Sequence, residues 1–451
     1  MSYKLNQLTA ISPIDGRYFG QVDFLSDYFS EYALIKTRAE IELKYLLFLS
    51  SQKISKKYSK KEISKIRKAY ESFSLADAQK VKGFEEKTRH DVKALEYFLR
   101  SLFKGTSISK SLNWLHFGLT SNDINDNAYR LIVNRVLNSH IIPEIEKLTG
   151  MLKKFSDSYS GLPMLARTHG QPAVPTTFGK EVAVFYQRLQ KELKTLKNSK
   201  LYGKFGGAVG NWNALALAYP AINWPRFSTK FLHSLGLEIN KVTTQTAPAD
   251  DLVNIFQNLI HINMILIGLN QDFWRYISDN WIVQKGKEGF TGSSTMPQKI
   301  NPIEFENSEG NLYIANGLLE TFSRKLTVSR LQRDLSDSTV FRNIGVSFAH
   351  CLIAYKSCIK GLLTITPNKA KILNDLNEDW SILTEALQTL LRKTGKIDAY
   401  EKIASKVRGK KLTQKEWTII VSKAALGQND KKILYNLTPS NYLGYAPKIR
   451  P

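Results

Sequence analysis

Apolar residues recur at three- and four-residue spacing over Phe24 to Leu49, Val92 to Phe103, Asn125 to Tyr159, Val182 to Leu201, Leu252 to Val283, Glu304 to Leu326 and Val340 to Leu363. That is the period of an amphipathic helix, and several of these stretches exceed twenty residues. Helices so long, interrupted by few Gly or Pro and without regular strand alternation, predict an elongated all-α bundle rather than an α/β sheet. From Thr366 onward the pattern changes to shorter helical segments separated by Gly395, Gly409 and Gly427, with a turn at Pro439. We therefore expect three helical domains: an N-terminal one over 1–111, a central long-helix bundle over 112–364 and a small C-terminal one over 365–451.

The composition of the 451-residue chain, 43% apolar and 23% charged, excludes disorder for most of it. No run of eighteen apolar residues occurs, and Met1 to Pro13 has no apolar core of the signal-peptide kind, so we expect a soluble cytoplasmic protein. Cys351 and Cys358 are seven apart; in a helix that is about 10.5 Å along the axis, too far for a disulfide, which makes both reduced core residues. The net charge is +24, with lysines spread along the whole chain. Without finger spacing or an aromatic RNA-binding motif, solvated helix faces account for it best, a site for a polyanionic small molecule next, and nucleic acid least.

Three Gly- and polar-rich breaks interrupt the long helices: Leu115 to Asn125, Arg167 to Ala173, and Gly292 to Pro302. Loops carried on rigid helices are where chemistry concentrates. In the third, Gly286, Gly289 and Gly292 predict a lid that lies open without ligand, while Asn301 followed by Pro302 fits an N-cap and first-turn proline. Lys299 and that helix start together favour an anion nearby. On its own, a Gly-Ser-Ser run is more often a plain surface turn, and the Met-Pro-Gln-Lys-Ile-Asn-Pro continuation is what argues otherwise.

Gly292 to Pro302 resembles the GSSxMPxKxNP motif of the fumarase/aspartase superfamily, whose members eliminate fumarate from succinyl-type substrates. Ser12 to Tyr18, Thr88 to Val92 and Arg330 to Arg342 resemble the bacterial-type adenylosuccinate lyases within it, and the likeness runs from Leu8 to about Tyr442. It implies a homotetramer whose active sites each draw on three chains. The substrates it implies are adenylosuccinate and its imidazole-carboxamide analogue SAICAR. Such an elimination needs a base, an acid and several fixed cations, but no redox partner, so no cofactor and no metal are expected.

The resemblance implies Ser293 as general base, activated by Lys299 and backbone donors when the lid closes, and His169 as the acid that protonates the leaving nitrogen. His90 matches a substrate-binding histidine whose tautomer Asp91 could fix. Arg17 and Tyr18 match a phosphate-side pair, Thr120 and Ser121 the succinyl-carboxylate donors, and Gln245 a contact to the leaving group. Arg333, Ser338 and Arg342 match the remaining phosphate and ribose contacts, although helix-face ion pairing is the ordinary use of such arginines. Lys299 and Asn301 would grip the carboxylate on which charge accumulates, and Glu306 would orient His169 or Lys299. Two positions depart from the pattern: Arg89 stands where close relatives have Asn, and Gln298 where they commonly have His. Gln at the latter position also occurs in argininosuccinate lyases, which makes another fumarate-releasing lyase the second reading. A non-catalytic helical scaffold that binds nucleic acid is the third, against which the intact Ser293, Lys299, Asn301 and His169 speak.

Overall fold

The computed structural model describes residues 4–285 and 295–449. The described residues are dominated by helices, accompanied among them by three two-stranded sheets. The expected all-α, long-helix fold is what forms, and the long periodic stretches become the helices Glu31–Ser51, Ser121–Val136, Ile142–Ser158, Phe178–Lys197, Asp250–Ser278, Ile303–Lys325 and Ile344–Leu363. Between Ser121–Val136 and Ile142–Ser158 the chain forms one π turn over Leu137–Ile141. Pro143 explains it: the ring has no N–H and would strike the carbonyl four residues back, so the helix widens there.

Contacts divide the chain into two compact units, 1–144, 193–263 and 310–354 in the first, and 145–192, 264–309 and 355–451 in the second. The helices Asp250–Ser278, Ile303–Lys325 and Ile344–Leu363 run through both. In the first unit, short polar caps start the longer helices of the N-terminal part. Ser30 accepts from the Ala33 N–H, and Ser59/Glu62 and Ser74/Asp77 form reciprocal capping boxes for Lys60–Glu71 and Leu75–Thr88. Their apolar faces, with that of Asp91–Phe103, close a core of Leu43, Leu46, Ile66, Phe73, Val81, Leu95, Phe98 and Leu99. The second unit contains a hairpin, Pro163–Thr168 against Gln171–Thr177, and the sheet that pairs Ile282–Gln284 with Ile365–Pro367.

Two helices, Asp250–Ser278 and the stretch Ser336–Leu363, are long and apolar enough to cross a membrane by length and composition alone. Within the fold, 67% and 78% of those windows are buried, which is how core helices look. Cys351 and Cys358 are both buried and not joined in a disulfide, as the helical spacing predicts.

Candidate functional site

The first unit assembles most of the predicted substrate contacts at helix ends. Thr88 closes one helix, Arg89 turns the chain in the left-handed region (φ 52°), and His90 caps the next, Asp91–Phe103. The Lys93 N–H donates to His90 Nδ1 at 3.2 Å, so the neutral ring keeps its proton on Nε2, which faces Ser121 Oγ at 3.4 Å. Asp91 lies 3.8 Å from Nδ1. It was expected to fix the tautomer, and the backbone N–H of Lys93 takes that part. The Asp91 carboxylate instead pairs with Arg38 at 2.8 Å and approaches Arg342 at 3.9 Å. Burial alone would raise its pKa, but Arg38, the Val92 N–H and His90 together outweigh burial and hold the carboxyl below its ordinary range.

Arg342 gathers a second layer of contacts. Its Nη1 donates to Ser338 Oγ at 2.6 Å, while Nε stands 3.9 Å from Glu31. Its side chain is 44% exposed. Arg333 reaches Gln245 Oε1 at 3.2 Å, and its buried Nε has no partner. Arg17 is exposed, and Tyr18 starts the short helix Phe19–Val22.

A buried frame holds the loop that presents Thr120 and Ser121. The Thr120 N–H donates to the Asp123 carboxylate at 2.8 Å, and so do Gly206 N–H at 2.8 Å and Lys204 Nζ at 2.8 Å. Asp123 and Lys204 are both 0% exposed, which makes this a buried ion pair with its lone pairs filled. Behind it, Arg130 grips Asp251 at 2.8 and 2.9 Å, and Asp126 accepts from the Ala247 N–H. Burial lifts the Asp126 carboxyl to about 6. On the loop's other side, His116 Nδ1 meets buried Glu42 at 2.5 Å, and the Tyr45 hydroxyl donates to the Phe117 carbonyl. Burial would lower the His116 pKa, but Glu42 overrides it and raises it. None of these frame residues was singled out from sequence. The signal was present: Asp123, Asn127 and Arg130, like Arg38 and Glu42, are spaced to fall on one helix face each.

In the second unit, the segment around His169 is not a polar break between helices but the turn of a β-hairpin. Thr168 pairs with Gln171, leaving His169 and Gly170 as the two loop residues, both at positive φ (53° and 74°). That is the geometry of a type I′ turn, which matches the twist of the strands it joins. Its use is to hold the imidazole out at an exposed tip on a rigid stem. Arg167 stacks its guanidinium over Trp281 at 5.6 Å. Lys299 is exposed, and the Asn301 carbonyl accepts from Gln284. The next helix starts at Ile303, and the Pro302 carbonyl accepts from the Phe305 and Glu306 N–H groups at 3.0 and 3.2 Å. Pro302, not Asn301, is therefore the N-cap. Glu306 accepts from Trp274 Nε1 at 3.1 Å, a contact other than the His169 or Lys299 expected for it. Ser293 and the glycines of the expected lid, Gly286, Gly289 and Gly292, lie outside the described residues. Among the described residues no cluster of three His, Cys, Asp or Glu could hold a metal ion.

The fold is shared with solved structures. A fumarate lyase from Mesorhizobium sp. BNC1 superposes with a TM-score of 0.76 at 19% identity, covering 94% of this chain and 96% of that one. The 3-carboxy-cis,cis-muconate lactonizing enzyme of Pseudomonas putida gives 0.75, again at 19%. The Lyase family matches residues 16–316, which puts the chain among the fumarase/aspartase-type lyases. A second family, described as adenylosuccinate lyase C-terminal, matches residues 329–443. Curated adenylosuccinate lyases of Dictyostelium discoideum and of Buchnera aphidicola subsp. Schizaphis graminum are 43% and 44% identical, the first over 98% and the second over 99% of both chains. That of Escherichia coli K12 is 40% identical over 98% of both. The chain belongs to the adenylosuccinate lyase family.

Proposed function

We infer that the chain eliminates fumarate from adenylosuccinate, giving AMP, and from SAICAR, giving AICAR, in purine nucleotide biosynthesis. What carries the reading is identity of 40% or more, over essentially the full length of both chains, to several curated adenylosuccinate lyases. The C-terminal family match favours it over argininosuccinate cleavage and over a retired nucleic-acid-binding scaffold.

In this reading Ser293 removes the proton on the carbon next to a carboxylate, and Lys299 and Asn301 stabilise the negative charge that builds on that carboxylate. The C–N bond then breaks, its electron pair going to the purine or imidazole-amide nitrogen, and His169 delivers the proton that nitrogen needs. An exposed imidazole on a stiff turn suits a donor that must meet a substrate brought to it. Thr120 and Ser121 hold the succinyl carboxylates, and His90 binds the substrate with Asp91 beside it. Arg17, Tyr18, Arg333, Ser338 and Arg342 hold phosphate and ribose, Gln245 meets the leaving group, and Arg89 adds a cation at the rim.

We further propose a cytoplasmic homotetramer with the three-domain division 1–111, 112–364 and 365–451, its active sites built from three chains. Exposed Met264 and Trp274 on Asp250–Ser278, and Tyr313 and Ile314 on Ile303–Lys325, support the assembly, because a lone chain would leave these faces wet. The experiment is a steady-state assay of fumarate release with adenylosuccinate, SAICAR and argininosuccinate offered separately. The reading requires turnover of the first two and none of the third.

A further inference from the structure

The first unit contains a cavity of about 770 Å³ that no catalytic assignment uses, framed by the C-terminal end of Glu31–Ser51, the segment that follows it, and Lys60–Glu71. Its size lies in the range of small-molecule sites, roughly 300–1,000 Å³. One wall is apolar and aromatic, made by Leu47, Phe48 and Tyr70. Another is cationic: Lys53, Lys57 and Arg67 line it and make no ion pair among the described residues, whereas Lys44 is neutralised by Glu40 at 2.6 Å. Glu71 is the one carboxylate in the lining.

Two further features belong to the lining. Ser55 Oγ and the Tyr58 hydroxyl are buried without a hydrogen-bond partner of good geometry, although Ser111 lies beside the tyrosine. Tyr58 is only 4% exposed. Lys53 itself sits at φ 60°, the left-handed conformation that usually falls to glycine after a helix. Here the residue in that conformation is a cation of the lining.

We propose that this cavity is a second, non-catalytic site for a nucleoside polyphosphate, with the base against Phe48 and Tyr70 and the phosphates on Lys53, Lys57 and Arg67. Three cations without ion pairs among the described residues, set against one carboxylate and an aromatic wall in a single cavity, fit a ligand that is an anion at one end and a flat ring at the other. The site also gives part of the +24 net charge a use that solvated helix faces do not.

ATP is the probe, tested by equilibrium dialysis on the full chain carrying Arg342→Ala, which weakens the catalytic phosphate contact. One ATP per chain should bind in that background. Adding Lys53→Gln with Arg67→Gln should weaken binding by about tenfold or more, the effect of losing charge-assisted contacts. The same pair of changes in the otherwise unaltered enzyme should leave kcat on adenylosuccinate unchanged, which also shows that the doubly substituted chain folds. Absence of ATP binding, or ATP binding indifferent to the paired Lys53→Gln and Arg67→Gln substitutions, overturns the proposal. Inorganic triphosphate binding as tightly as ATP overturns the part assigned to the aromatic wall.

Discussion

At the residue scale, the proposed chemistry depends on His169 and Ser293 as separate proton carriers. His169→Ala and Ser293→Ala should each lower kcat by at least about 10²-fold, the lower end for loss of a general acid or base. KM should change far less, because Arg342, Arg333 and Lys299 remain. Burial makes a second residue-scale prediction. The Asp126 carboxyl, raised to about 6 in the fold from the ordinary 3.8, holds its proton more tightly folded than unfolded. Its contribution is therefore fully present below pH 3.8 and is lost as pH rises through about 6. Relative to Asp126→Asn, which is neutral throughout, the parent protein should lose up to about 3 kcal/mol over that window. Denaturant unfolding at several pH values checks this; a difference that is flat between pH 4 and 6 would refute it.

Element by element, the sequence was most legible where a period ran long. Asp250–Ser278 and Ile303–Lys325 fall within a few residues of the stretches their apolar spacing marks. It was least legible where geometry depends on two residues. Three prolines and a short run hid the hairpin Pro163–Thr168/Gln171–Thr177, and a His-Gly pair is a weaker turn cue than Asn-Gly. The helices Lys60–Glu71 and Leu75–Thr88 were passed over because few of their residues are buried, although each carries a capping box readable in advance. If the turn is what aims His169, then Gly170→Val, a β-branched residue forced to φ 74°, should loosen the hairpin. Amide exchange across the two strands should speed up by about tenfold, the equivalent of about 1.4 kcal/mol, and kcat should fall with it. Unchanged exchange would mean that the strands hold the turn without the glycine.

For the whole molecule, the motifs of the candidate site were readable because each is a short polar run, whereas the frame behind them was not. Asp123 and Lys204 are 81 positions apart, and only the folded chain makes them one ion pair. Removing one partner of a pair buried so completely typically costs about 3–5 kcal/mol. Lys204→Met should accordingly lower the unfolding midpoint sharply, and a shift near zero would show the pair to be incidental. Assembly is testable at the same scale. Sedimentation should find a tetramer, and mixing His169→Ala with Ser293→Ala chains, dissociating and reassociating them, should recover part of the activity. Residues acting within one chain would give no recovery.

The account stands or falls on the bond that is broken. Purified protein incubated with adenylosuccinate should release fumarate and AMP in equal amounts, with Ser293→Ala and His169→Ala as inactive controls and argininosuccinate left intact. Fumarate from argininosuccinate but not from adenylosuccinate, or undiminished turnover in either control, would contradict it.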